Sequence, residues 1–208
     1  MKAIAHFKCL PIEHPDALVE IDIPEPVPGP RDLLVEVKAV SVNPVDTKVR
    51  QGYVPHEDES QPRILGWDAA GVVKSVGSDV TLFKPGDRVW YAGSLIRPGS
   101  NSELQLVDER IVGSMPQSLE FSQAAALPLT SLTAWELLFA RLGVARDTTD
   151  RGETLLIIGA AGGVGSILTQ LARQLTGLTI IGTASRPETQ AWVTELGAHH
   201  VIDHTKPL

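Results

Sequence analysis

One stretch limits what this chain can fold into more than any other: TLLIIGAAGGVGSILTQLA, from Thr154 to Ala172. A short apolar run, Leu155 to Ile158, breaks into glycines at 159, 162, 163 and 165. Apolar residues then return at Val164, Ile167, Leu168, Leu171 and Leu175, spaced by three and four. That is a strand, a glycine turn and a helix. The spacing Ala160-x-Gly162-x-x-Gly165 fits G-x-G-x-x-G with Ala in the first slot, and its strand-to-helix setting is the one a dinucleotide fingerprint needs. Gly162 would admit a pyrophosphate to the backbone, Gly165 would let helix and strand pack closely, and the helix N-terminus would offer free N–H groups to phosphate. The competing readings are an ordinary tight turn and, because the stretch carries no charge, a membrane span. Its glycine content and strand-like first half speak against the span.

The residues C-terminal to this stretch support the fingerprint. Thr179 to Ala184 reads as a second buried strand, Pro187 to Leu196 as a helix with Pro in its first turn and Gly197 just past its end, and His199 to Asp203 as a third strand. The order β-α-β-α-β is half of a doubly wound dinucleotide fold.

Before residue 121 the chain is β-rich. Lys2 to Phe7, Leu18 to Ile23, Leu33 to Val42, Asp68 to Val76, Asp87 to Tyr91 and Glu103 to Ile111 read as strands, several of them alternating. Asn43-Pro44-Val45-Asp46 opens a short helix toward Gly52, and residues 51 to 63 read as loop. From Phe121 the period turns helical, bent at Pro128, and leads to a polar linker at Ala145 to Gly152. The reading is three parts: a β domain over 1–122, bridging helices over 123–150, and a partial nucleotide domain over 151–208.

At 208 residues there is length for two cores. The net charge of −7, with no basic run, argues against nucleic acid and anionic membranes as partners. Cys9 is the only cysteine, which removes internal disulfides and Cys-rich zinc lobes and suits a reducing, cytoplasmic setting. No signal peptide is evident in the first residues.

With these residues in hand, the chain resembles the medium-chain dehydrogenase/reductase superfamily, in its quinone-oxidoreductase and zinc-type alcohol-dehydrogenase-like branch. The motifs are SVNPVDTKVRQG (41–52), GWDAAGVV (66–73), KPGDRV (84–89), AAALPLTSLTAWELL (124–138) and IIGAAGGVG (157–165), in family order. The resemblance implies a GroES-like β-barrel catalytic domain followed by a Rossmann domain, here a partial one. Family members are usually longer, so the expectation is a truncated chain that keeps Rossmann strands 1 to 3 and leaves strand 1 an unpaired edge.

Zinc-using members carry Cys where this chain has Asn43, His where it has Trp67, and a ligand near Leu129. Amide, indole and alkyl groups do not ligate zinc acceptably, so the expectation is no metal. A site from His6, His14 or His56 has unconvincing spacing. Without zinc, hydride transfer suits a conjugated carbonyl, a quinone or an enone, whose oxygen needs only a hydrogen bond.

By resemblance Asn43 is the candidate catalytic donor, though Asn-Pro also reads as N-cap and N1 with Asp46 at N3. Thr133 corresponds to a Thr beside the nicotinamide; a buried Thr bonding its own helix is the alternative. Tyr53 and Trp67 are candidate substrate-lining aromatics, against loop exposure and core packing respectively. Ala160, Gly162, Gly163, Val164 and Gly165 are candidate cofactor contacts. The second strand ends at Ser185 and Arg186, with no carboxylate where an NAD ribose wants one; a 2′-phosphate wants such donors, hence NADPH. The alternative is a solvated Arg186. The expected function is NADPH-dependent, metal-free reduction of a quinone or enone by the full-length parent, which could form a homo-oligomer. A zinc alcohol dehydrogenase and a non-enzymatic nucleotide-binding protein are the competing readings.

Overall fold

The computed structural model describes residues 1–54 and 58–206. The chain divides into two compact units, 1–129 and 130–208, with the division inside a helix that starts at Pro128.

The first unit holds two antiparallel sheets. β1 (Lys2–His6), β2 (Val19–Asp22) and β4 (Arg63–Ile64) pair in the order β2-β1-β4. β3 (Asp32–Ser41), β5 (Asp68–Val76), β6 (Arg88–Ala92), β7 (Leu104–Asp108) and β8 (Val112–Ser114) form a second sheet in the order β7-β3-β5-β6-β8. The alternation of β3 and β5 places Leu33, Val35, Ala69, Val73, Val89, Tyr91 and Val107 in one core. The pairing of β3 with β5 shifts register at Leu34/Val35 and again at Val37/Ala39. Short helices α1 (Pro44–Arg50) and α2 (Phe121–Ala125) complete the unit. This is the β domain the resemblance implies.

Residues 103–111 are not one strand. β7 stops at Asp108 and a 3₁₀ turn, Glu109–Ile111, intervenes before β8. The cause is Glu109, whose carboxylate turns inward to accept the N–H groups of Thr81 and Leu82 at 2.9 Å each and pairs with Arg31 at 3.0 Å. Tyr91 is buried and donates its hydroxyl to Gln105 Oε1 at 2.8 Å, while Gln105 Nε2 donates to Pro98 O at 3.1 Å. Burial pushes the Tyr91 phenol up, so it remains a donor. Tyr91→Phe strands the Gln105 oxygen, and urea unfolding should register a loss of about 1–2 kcal/mol; an unchanged midpoint would show that this bond is not a stabilising one.

The second unit opens with the rest of α3 (Pro128–Trp135), which continues as a wider π-type turn over Glu136–Arg141. Then come β9 (Thr154–Ile157), α4 (Gly163–Leu175), β10 (Thr179–Thr183), α5 (Pro187–Glu195) and β11 (His200–Ile202). The three strands are parallel in the order β11-β10-β9. Ile157, Ala160, Leu168, Ala172, Ile180 and Val193 form the core between sheet and helices. The uncharged stretch from Thr154 is therefore a strand, a turn and a helix, and no helix among the described residues is long and apolar enough to cross a membrane. β9 is the sheet edge among the described residues, with Leu156 half exposed. These strands are the first three of a doubly wound sheet, in the 3-2-1 half of its order.

Candidate functional site

In the second unit the glycine turn is built as a cradle. Gly159 takes a positive φ of 68°, a left-handed conformation that suits glycine, and donates its N–H to Thr183 Oγ1 at 2.9 Å. Gly162 then donates to Gly159 O at 3.0 Å and serves as N-cap of α4 in an extended conformation. Its carbonyl accepts from Ser166 N at 2.8 Å, the first intrahelical bond. The N–H groups of Gly163, Val164 and Gly165 lie at N1 to N3, where an α-helix has no carbonyl to satisfy them. They project, with the positive end of the helix dipole, at an anion's place.

The glycines differ in what surrounds them. A Cβ on Gly165 would come within 2.5 Å of Gly159 O and 2.7 Å of Ala160 Cα, so this residue is where helix and turn touch. A Cβ on Gly162 would meet only Gly159 O at 3.3 Å, leaving an open approach to the backbone. Ala160 is fully buried, packed beneath the turn against Gly182. It has no surface to offer a ligand, and its position in the motif serves packing.

The tip of β10 carries the two donors read from the sequence. Ser185 is half-buried; Arg186 is exposed and caps α5. Arg186 Nε lies 3.3 Å from Glu188 Oε1, an exposed pair of little energetic weight. Glu188, in the first turn of α5, is a carboxylate the sequence reading passed over; the signal was its place two residues after Arg186.

In the first unit Asn43 sits at the N-cap of α1, 7% exposed. Its backbone N–H donates to Asp46 Oδ2 at 2.8 Å, and its side-chain Nδ2 donates to Asp68 Oδ2 at 2.8 Å. The other oxygen of Asp68 accepts the Leu129 N–H at 2.7 Å. An ionised carboxylate only accepts, so Asp68 fixes which end of the Asn43 amide faces it. The second Nδ2 proton is left for another partner, while the side chain also faces the Asp46 N–H in the capping box of α1. Burial pushes the Asp68 carboxyl up, against the bonds from Asn43 and Leu129, and the nearby Asp46 charge pushes the same way. Burial likewise raises Asp46, opposed by N–H groups of Asn43, Asp46 and Gly66. Asp68 is the functional-site neighbour that the sequence reading missed. Its one signal was a carboxylate inside the otherwise apolar GWDAAGVV.

The other predicted residues differ in their surroundings. Trp67 is buried in a cluster with Val49 and Leu65, and Tyr53 is 75% exposed, so the two do not form one aromatic slot. Thr133 lies in the second unit and is exposed rather than buried. A cavity of about 710 Å³ opens elsewhere in the first unit, between Ile23, Pro24, Ile64, Leu95 and Leu104; Asn43, Asp46 and Asp68 do not line it.

The donor set does not fit zinc. Asn43 carries an amide with one N–H committed to Asp68, Trp67 presents a buried indole, and Leu129 has no donor atom on its side chain. His6 is buried in β1, His14 accepts the Asp16 N–H through Nδ1, and His56 lies outside the described residues. Among the described residues no group of three or more His, Cys, Asp or Glu stands close enough to hold a metal ion. The second unit does fit a dinucleotide: its cradle is the arrangement that phosphate groups take.

A β domain joined to a strand, glycine turn and helix in a parallel sheet defines the architecture of the dinucleotide-dependent dehydrogenases. Residues 29–125 match the family model described as the alcohol dehydrogenase GroES-like domain. Its relatives are zinc-type alcohol dehydrogenase-like proteins and quinone oxidoreductases of the medium-chain dehydrogenase/reductase superfamily. The chain is 45% identical over 209 residues to the zinc-type alcohol dehydrogenase-like protein SAV2186 of Staphylococcus aureus, covering 100% of this chain and 61% of that one. It is 38% identical over 180 residues to the chloroplastic NADPH-dependent alkenal/one oxidoreductase of Arabidopsis thaliana, covering 84% and 45%. Among solved structures it superposes on the Escherichia coli quinone oxidoreductase complexed with NADPH at a TM-score of 0.82 and 33% identity, covering 100% of this chain and 60% of that one. The chain thus spans about three-fifths of the length of SAV2186 and of the Escherichia coli enzyme.

Proposed function

We propose that this chain supplies the catalytic β domain and the adenosine-phosphate half of the nucleotide site of an NADPH-dependent, metal-free oxidoreductase that reduces a quinone or an α,β-unsaturated carbonyl. The observation that carries the reading is the open backbone at Gly162 before three unsatisfied helix N–H groups, followed at the next strand's tip by Ser185 and Arg186 instead of a carboxylate. The relatives support it, one being complexed with NADPH and another named as NADPH-dependent.

NADPH, when bound, supplies the hydride. Gly163, Val164 and Gly165 would hold the pyrophosphate through their N–H groups, and Ser185 and Arg186 would hold the 2′-phosphate. Asn43 would donate a hydrogen bond from its second Nδ2–H to the carbonyl oxygen of the substrate, the atom on which negative charge would gather. A conjugated acceptor spreads that charge, which lessens what a neutral donor must supply. Thr133 is carried, by resemblance, as a neighbour of the nicotinamide.

Titrating the chain with NADPH and NADH tests the reading, followed by a quinone and enone panel on a full-length version. Arg186→Ala should weaken NADPH about tenfold and leave NADH unchanged, since it removes one charge-assisted contact to a group only NADPH carries. Equal binding of both cofactors by the unaltered chain would sink the NADPH assignment. Stoichiometric zinc in purified protein would defeat the metal-free one. Tight NADPH binding with no turnover across the panel would favour a nucleotide-binding protein without reductase activity.

A further inference from the structure

Thr183 is the last residue of β10 and 7% exposed. Its hydroxyl oxygen accepts the Gly159 N–H at 2.9 Å, and its carbonyl accepts the Ala160 N–H at 3.3 Å. The glycine turn is thus bonded to the strand tip twice, at the first two residues of the turn. Two and three residues beyond Thr183 stand Ser185 and Arg186. Below it, Gly182 packs on Ala160, where a Cβ would come within 2.9 Å of the Ala160 side chain. Gly159 is at positive φ and exposed, so nothing on its own side chain fixes the turn. The Thr183 hydroxyl provides that fixation.

We propose that Thr183 is a positioning residue for the cofactor: its hydroxyl holds the pyrophosphate-binding turn in register with the ribose-reading tip of β10. This rests on the NADPH reading above. Thr183 needs no contact with the ligand. Its effect falls on the part of the ligand that the turn receives, the pyrophosphate, and not on the part that Ser185 and Arg186 receive. A threonine in this role has a specific requirement. A hydroxyl is needed, whereas an isosteric methyl leaves the Gly159 N–H without its partner and frees the turn to shift.

Calorimetric titration of the 208-residue chain with NADPH and with 2′-AMP, which has the ribose phosphate but no pyrophosphate, separates the two halves. Thr183→Val should weaken NADPH about tenfold, the cost of one unmade hydrogen bond at a site that must be preformed. 2′-AMP should change less than about twofold, and Thr183→Ser, which keeps the hydroxyl, should bind NADPH like the unaltered chain. A general loosening of the unit would weaken both ligands together, and that outcome overturns the proposal. So does a Thr183→Val variant that binds NADPH as before, or a Thr183→Ser variant that loses as much as the valine; the serine comparison decides even if the valine variant does not fold. If the unaltered chain binds 2′-AMP and NADPH with no gain from the pyrophosphate, Thr183 has nothing to position and the proposal fails while the ribose-phosphate reading stands. If it binds neither, the NADPH reading fails first.

Discussion

Gly165→Ala is expected to destabilise the second unit by about 3 kcal/mol, seen as an early melting phase in circular dichroism. The added methyl would sit 2.5 Å from Gly159 O, 2.7 Å from Ala160 Cα and 2.8 Å from Ala160 O. All three are backbone atoms, so no rotamer can swing aside and α4 must move away from the turn. That movement opens the packing of Leu168, Ala172 and Ile180. Gly162→Ala should behave in the opposite way. Its methyl would meet one atom, Gly159 O, at 3.3 Å, and its φ of −75° suits alanine. Stability should stay within about 1 kcal/mol, while NADPH affinity falls tenfold or more, roughly, because the methyl fills the space through which a pyrophosphate reaches the N–H groups. The pair separates a packing glycine from a binding one. Equal melting of Gly165→Ala and the unaltered chain would mean that helix and turn are not in contact. Undiminished affinity in Gly162→Ala would move the pyrophosphate away from this cradle.

The range of each interaction decides whether the sequence disclosed it or hid it. The glycine turn, the alternation in β3 and the Asn43–Asp46 cap are set by residues a few positions apart, and local pattern exposes them. β4 and β8 have two and three residues, too few for a period to declare itself. The break after Asp108 depends on Glu109 reaching Thr81 and Leu82, a contact no local spacing encodes. The same holds at the candidate site. That Asn43 caps α1 was legible from Asn-Pro; that its side chain is committed to Asp68, 25 positions on, was not. Ala160 fits the fingerprint's first slot by spacing, yet spacing does not say which slots face a ligand and which face the core. Trp67, set among apolar residues in GWDAAGVV, likewise went to the core. Arg186 was legible as a donor at the strand tip, but its pairing with Glu188 required the turn of α5 to be seen.

Asp68→Ala should cost the first unit about 3 kcal/mol, because a buried and a partly buried donor lose their acceptor at once. Asn43 Nδ2 and the Leu129 N–H both end on this carboxylate, at 2.8 and 2.7 Å, and Asp68 itself is fully buried. Asp68→Asn should cost less. An asparagine can still accept from Leu129, and Asn43 can turn its amide over to offer Oδ1 to the new NH₂ group. The amide reversal would remove the hydrogen bond that Asn43 is proposed to donate to a substrate oxygen, so this variant should fold and fail in turnover when placed in a full-length version. The pH dependence carries a defined sign. Burial raises the Asp68 carboxyl above its usual range, so the folded state holds its proton more tightly than the unfolded chain does. The stability this contributes is complete below about pH 4, the ordinary carboxylate value, and is lost as pH rises through the folded value. Groups shifted downward, such as Asp32 beside Arg97, slope the other way. They are present in both proteins and cancel in the difference. The destabilisation caused by Asp68→Ala should therefore be largest near pH 4 and shrink toward pH 8 in urea unfolding of the two proteins side by side. A difference that grew with pH would mean that the folded state favours a charged Asp68. The carboxylate would then be held by its two donors more strongly than burial opposes it.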